Sequence, residues 1–318
     1  MASATTSVAA VLTGLSGSDF LSSADTTAQQ TAALLQLATQ LKRGERRIDL
    51  GNRVLGLIFT KASTRTRVSF QVAMARLGGQ TVDLNPQLTQ LGRGEPLEDT
   101  ARVLSRFCDV LAIRTFAQQE LADYAHWASI PVINALTDLE HPCQALADFL
   151  TMQEAFGDLQ GQTLAYVGDG NNVAHSLMLC GALLGVNVRI GCPEGFEPLT
   201  GVVDQARALS VGGAQISVIT DPVEAVRGAQ ALYTDVWASM GQEQEQAERE
   251  RAFQGFCLNE DLLAEADSRA IVLHCLPAHR GEEISAGVME GPSSRIFDQA
   301  ENRLHAQQAL LAALLGGL

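Results

Sequence analysis

The segment Lys61-Ala62-Ser63-Thr64-Arg65-Thr66-Arg67 concentrates hydroxyl and cationic side chains at one point in the chain. It follows an apolar run ending at Phe59 and precedes a helical pattern in which Val68, Val72, Ala75 and Leu77 share a face. Unpaired backbone N–H groups and the positive end of a helix dipole attract an anion at such a start. Ser63, Thr64 and Thr66 add donors there, and Arg65 adds charge. That chemistry suits phosphate. A single serine would be explained by helix capping and the arginines by a solvated surface; their concentration in one turn favours a ligand.

Other candidates lie far away in sequence. Arg114 ends an apolar run, and open α/β sheets bind ligands at the carboxyl ends of strands. His141-Pro142-Cys143-Gln144 follows another run and opens a helix, so His141 and Gln144 can face one crevice, although a lone histidine is also a common structural residue. The loop 88–94 offers Gln90, or is only a solvated connection. In the second half, Gly168-Asp169-Gly170-Asn171-Asn172 sits between a strand and a helix and invites a dinucleotide reading. The pattern fails, because Val173 stands where a third glycine belongs and no acid ends the next strand. Asn172 is better suited to a small polar acceptor. Asp235 ends a strand and leads through Ser239-Met240-Gly241 into a charged stretch, 242–251, that reads as a mobile loop. His274-Cys275-Leu276-Pro277 follows a wholly apolar strand. Of six cysteines, the other five read as inert core thiols with no metal-ligand spacing.

These residues must be positioned by sheets. Apolar β-rich runs at 54–59, 81–84, 110–113 and 130–134 alternate with helical stretches, and a second series follows at 163–167, 186–190, 216–219, 231–235 and 270–274. The alternation implies an α/β fold of two domains, each a mainly parallel sheet flanked by helices, with a cleft between them. Asp221-Pro222 and Gly78-Gly79 punctuate helices as a cap and a stop. No linker separates the halves. The break is therefore placed inside a helix at about 143–155, giving domains 1–145 and 146–299 joined by helical crossovers, with a last helix, 300–318, returning to the first domain.

At 318 residues the chain suits two cores, and 46% hydrophobic against 18% charged residues makes it an ordered globular protein. A formal net charge of -14 argues against nucleic acid or an anionic membrane as partner, so an anionic ligand needs a local cationic pocket. The first basic residue is Lys42, the cysteines suit a reducing compartment, and no stretch reads as a membrane span; the expected location is the cytoplasm.

Together, Ser63 to Arg67, Arg114, His141 to Gln144, Asp235 with Ser239-Met240-Gly241, and Cys275-Leu276-Pro277 resemble the ornithine branch of the aspartate/ornithine carbamoyltransferase family. The resemblance spans most of the chain. It implies carbamoyl phosphate and ornithine as substrates, no cofactor and no metal, a homotrimer or a multiple of trimers with shared active sites, and a role in arginine biosynthesis. It also implies that Arg303 reaches the phosphate or carbamoyl end, and that the Leu276-Pro277 bond is cis. Phe59-Thr60-Lys61-Ala62 differs from the Glu-Lys pairing common there, which leaves the role of Lys61 open.

On that basis Ser63, Thr64, Arg65, Thr66 and Gln90 are assigned to phosphate. Arg114 and His141 are assigned to the carbonyl oxygen, and Gln144 with the carbonyls near Cys275 and Leu276 to the carbamoyl nitrogen. Asn172, Asp235, Ser239 and Met240 are assigned to ornithine. Cys275 is placed beside the attacking amine as an orienting or proton-accepting group; covalent catalysis is disfavoured, since His274, adjacent on an extended segment, faces the opposite way. Aspartate, acetylornithine and putrescine are rival acceptors, and a nucleotide-binding oxidoreductase or a non-catalytic paralogue are rivals from other classes.

Overall fold

The computed structural model describes residues 7–85, 94–238 and 246–318. The chain divides into two compact units, Met1–Leu146 with Arg303–Leu318, and Ala147–Asn302. Both borders fall within helices, Pro142–Phe156 and Ile296–Leu314.

In the first unit, β1 (Val54–Phe59), β2 (Gln80–Leu84), β3 (Val110–Arg114) and β4 (Val132–Leu136) form a parallel sheet in the order β2-β1-β3-β4. The chain leaves β1 in one direction, to β2, and returns on the other side as β3. The crevice beyond the ends of β1 and β3 is therefore a topological switch point, where such sheets take ligands. The register sets Phe59 opposite Arg114, and Thr60 donates its N–H to the Arg114 carbonyl at 2.9 Å. The turn leading into the hydroxyl-rich segment thus lies beside Arg114. Ile58, Leu111, Ile113, Leu121, Tyr124 and Val132 pack one face of the sheet, each contributing roughly 1.5–3 kcal/mol through burial. β4 starts later than the apolar run suggests because Pro131 has no N–H to give to a ladder.

In the second unit, β5 (Thr163–Val167), β6 (Asn187–Gly191), β7 (Ile216–Ile219), β8 (Ala231–Thr234) and β9 (Ile271–His274) form a parallel sheet ordered β7-β6-β5-β8-β9. Its switch point lies between β5 and β8. The segments that follow these strands carry Asn171 and Asp235.

Three expectations are corrected. The helix Thr64–Arg76 buries Thr66, Phe70, Ala73 and Met74, not the face read from sequence; Val68 and Val72 are 49% and 36% exposed. The larger Phe70 and Met74 decide which side meets the sheet. The last helix begins at Ile296 rather than about 300, because Ile296 is anchored in the apolar core of the second unit. Of the stretch read as a mobile loop, Gln246–Ala252 is a helix. Its Arg249 is buried, donating at 2.8 Å both to Asp169 and to the Trp237 carbonyl. No helix among the described residues is long and apolar enough to cross a membrane.

Candidate active site

Ser63 caps the helix Thr64–Arg76, its Oγ accepting the Thr66 N–H at 3.3 Å. Thr64 and Arg65 are exposed on that first turn, whereas Thr66 is buried. From the far end of the chain, Arg303 donates through Nη2 to Thr66 Oγ1 at 2.9 Å and through Nη1 to Gln144 Oε1 at 2.6 Å. Arg303, Gln144, His141 and Arg114 are all buried. His141 receives the Gln144 N–H on its backbone carbonyl at 3.0 Å, so the start of the helix Pro142–Phe156 fixes the two residues together.

The electrostatics of this cluster are recorded by His141. Burial pushes its pKa well below the ordinary histidine value, and Arg303, Arg114 and Arg65 push it further in the same direction. Three guanidiniums from three separate stretches are therefore close enough to act electrostatically on one neutral imidazole. A neutral ring still carries one N–H, so it donates a hydrogen bond without being a proton source at neutral pH. Arg67, by contrast, pairs with Asp83 and lies over the Phe59 ring. Lys61 sits over the Phe116 ring at 4.0 Å, its pKa lowered by burial and by Arg114. Gln90 lies outside the described residues.

In the second unit, Asp235 is buried immediately after β8. Its Oδ1 accepts the Cys275 thiol at 3.0 Å and its Oδ2 accepts Nδ2 of Asn171 at 3.0 Å. Asn171 is the cap of the helix Asn172–Leu183, accepting the N–H groups of Val173 and Ala174. Asn172, the residue singled out in the sequence, is the first helical residue beside it. Asn171, not singled out above, carries the cap signal that an asparagine gives at a helix start. Gly170 has a packing role: a Cβ there would lie 2.2 Å from the Pro198 nitrogen, so this glycine is required by a neighbouring chain segment. Ser239 and Met240 lie outside the described residues.

Loss of solvation raises the Cys275 pKa well above the usual thiol value, and the Asp235 carboxylate with its hydrogen bond adds to the effect. At neutral pH this group is a thiol, not a thiolate. Leu276 has φ 60, the one non-glycine residue with positive φ among the described residues, and its bond to Pro277 is cis. A left-handed leucine costs on the order of 1–3 kcal/mol and needs support from its surroundings. The Leu276 N–H donates to His274 Nδ1 at 2.9 Å, and His274 Nε2 faces Glu283 Oε1 at 3.1 Å. His274 is held in turn by Gln299, whose amide reaches Asp148. None of Glu283, Gln299 and Asp148 stood out in the sequence. Cys257, read as a core thiol, is only partly buried.

A two-sheet parallel α/β chain, with clustered arginines at one switch point and a buried acid beside a thiol at the other, has the makings of a two-substrate group-transfer enzyme. Comparison with known proteins specifies which kind. Residues 18–154 match the model of the aspartate/ornithine carbamoyltransferase carbamoyl-P binding domain, and residues 160–314 match that of the Asp/Orn binding domain. The chain is 85% identical over 311 residues to an ornithine carbamoyltransferase of Prochlorococcus marinus (strain MIT 9313), covering 98% of each. It is 81% identical over 318 residues to that of Parasynechococcus marenigrum (strain WH8102), covering 100% of each. Among solved structures, the ornithine carbamoyltransferase of Pyrococcus furiosus aligns with TM-score 0.91 at 48% identity, covering 96% of this chain and 99% of that one. The chain belongs to the aspartate/ornithine carbamoyltransferase family.

Proposed function

We propose that the protein transfers the carbamoyl group of carbamoyl phosphate to the δ-amine of L-ornithine, giving L-citrulline and phosphate. The observation that carries this reading is the gathering of Arg65, Arg114 and Arg303 around a neutral His141 beside the capped helix start. The high identity to relatives named for this reaction supports it.

Carbamoyl phosphate brings its own leaving group, so the enzyme supplies orientation and charge stabilisation. Ser63, Thr64, Arg65 and Thr66 are assigned to the phosphate, with Arg303 steadying Thr66 and Gln144. Arg114 and His141 are assigned to the carbonyl oxygen as it gains negative charge in the tetrahedral intermediate. Gln144 and the carbonyls of Cys275 and Leu276 are assigned to the carbamoyl nitrogen. The His274 contact that holds Leu276 fixes the direction of its backbone. Asp235 pairs with the α-ammonium of ornithine, and Asn172, Ser239 and Met240 contact the rest of the amino-acid end.

The attacking amine must be neutral, which for an ordinary alkylamine with pKa near 10.4 costs roughly 4–5 kcal/mol at pH 7. Desolvation lowers that cost. The raised pKa of Cys275 favours an orienting role over that of proton acceptor, and leaves the departing phosphate as the final acceptor. A homotrimer, or a multiple of one, is the proposed assembly, and the exposed Val68 and Val72 supply an apolar face for it. The proposed setting is arginine biosynthesis in the cytoplasm. The test is a colorimetric ureido-product assay with ornithine, aspartate, acetylornithine and putrescine. Ornithine should exceed each of the others by at least about 100-fold in kcat/KM, and a better rate with any rival would overturn the assignment.

A further inference from the structure

A second basic site lies in the first unit, apart from the hydroxyl-rich segment. A cavity of about 550 Å³ has Arg46, Arg47, Asp49, Arg76, Gly78 and Gln308 in its lining. This volume lies within the range of sites that take small molecules. Three arginines and one aspartate are among the lining residues in a chain whose net charge is -14, so the local excess of cations runs against the charge of the whole molecule. Arg43, Arg53, Arg67 and Arg102 in this unit pair with carboxylates, whereas Arg46, Arg47 and Arg76 form no ion pair among the described residues.

Asp49 is turned to the backbone. Its Oδ1 accepts the Gly51 N–H at 2.8 Å, and Gly78, at φ +78, packs so closely that a Cβ there would lie 2.3 Å from the same oxygen. The strongest sign of a ligand is Gln308, which is 5% exposed and whose Oε1 has no hydrogen-bond partner. A buried carbonyl oxygen left unpaired costs about 1–3 kcal/mol, which a ligand N–H or O–H recovers.

We propose that this cavity binds a phosphate monoester that also carries hydroxyl or amino donors, of the size of a nucleoside monophosphate. At neutral pH a phosphate monoester approaches two negative charges and offers three acceptor oxygens, which suits several guanidinium forks better than a single carboxylate does. A donor elsewhere on the ligand satisfies Gln308. Arg76 lies in the last turn of the helix that Ser63 caps, and Gln308 lies five residues beyond Arg303 on the last helix. The ester therefore contacts the far ends of two elements that build the phosphate cluster. The proposal does not depend on which amine is carbamoylated.

Titration calorimetry with adenosine 5′-monophosphate, adenosine and succinate tests it. Wild type is expected to bind the monophosphate at least about 10-fold more tightly than adenosine or succinate. The double variant Arg46→Ala/Arg76→Ala should lose at least about 10-fold of that affinity while turnover stays within about twofold. Arg65→Ala should keep the monophosphate affinity, and Gln308→Leu should lower it. If the double variant does not fold, Arg46→Gln and Arg47→Gln, each altering one arginine, serve in its place with the same expectation. Three results would each overturn the site: no binding of the monophosphate at millimolar concentration, succinate bound as well as the monophosphate, or binding abolished by Arg65→Ala and untouched by Arg46→Ala/Arg76→Ala.

Discussion

The two candidate regions use the same topological device in opposite ways. Each lies beyond strand ends at a switch point of a parallel sheet, β1 and β3 in one unit, β5 and β8 in the other. In the first unit, Arg65, Arg114 and Arg303 act electrostatically on a histidine that burial already holds neutral. In the second, a single buried carboxylate is shared between Asn171 and the Cys275 thiol, and a nearby backbone is held in a left-handed turn. One region concentrates positive charge. The other fixes direction, in groups held by hydrogen bonds.

Removing a cation should therefore cost more than removing a director. Arg114→Ala is expected to lower kcat by about 100- to 1000-fold, the usual loss when a donor to a developing oxyanion is deleted; steady-state kinetics reads this, and a loss below tenfold would erase the distinction. Asp235→Asn keeps shape and removes charge. It should lower kcat/KM for ornithine by about 100-fold and leave carbamoyl phosphate affinity within about twofold, whereas equal losses for both would merge the regions into one.

The neutral histidine makes a prediction about pH. Because the folded-state pKa of His141 lies below its unfolded value, the unfolded chain binds more protons as pH falls below about 6.5. Stability should fall there, by at most about 1.4 kcal/mol per pH unit from this group, and the fall continues until the folded pKa is reached. Denaturant melts from pH 7.5 to 5.5 should show a shallower slope in His141→Gln; an identical slope would mean that the charges do not converge on this ring. The smallest effect is expected at Asn171→Ala. Loss of the cap should cost about 1 kcal/mol in thermal or denaturant melts, with a several-fold rise in KM for ornithine and none for carbamoyl phosphate.

Legibility in the sequence follows the same division. Ser63 to Thr66 are contiguous, and their chemistry depends on a helix start that the apolar run ending at Phe59 already places. Arg114 could be placed because a strand end fixes a residue in space. Arg303 could not be placed from its own surroundings, since its partners Thr66 and Gln144 lie 237 and 159 residues away in the chain; the family resemblance alone singled it out. In the second unit, Asn171 and Asn172 differ only in which of them caps, a local backbone choice that composition does not report. Glu283 and Gln299 reach His274 from separate elements, with no pattern to announce them. The misjudged face of the helix Thr64–Arg76 has a plain cause: apolar periodicity weighs Val68 and Val72 like any core residue, while packing volume favours Phe70 and Met74.

On the proposed reading, positive groups from distant stretches act on one phosphate. Titration calorimetry of carbamoyl phosphate with Arg65→Ala, at unchanged melting temperature, tests it most directly. Affinity should weaken by at least about tenfold, or about 1.4 kcal/mol; affinity equal to that of the unsubstituted protein would rule out a phosphate contact by Arg65.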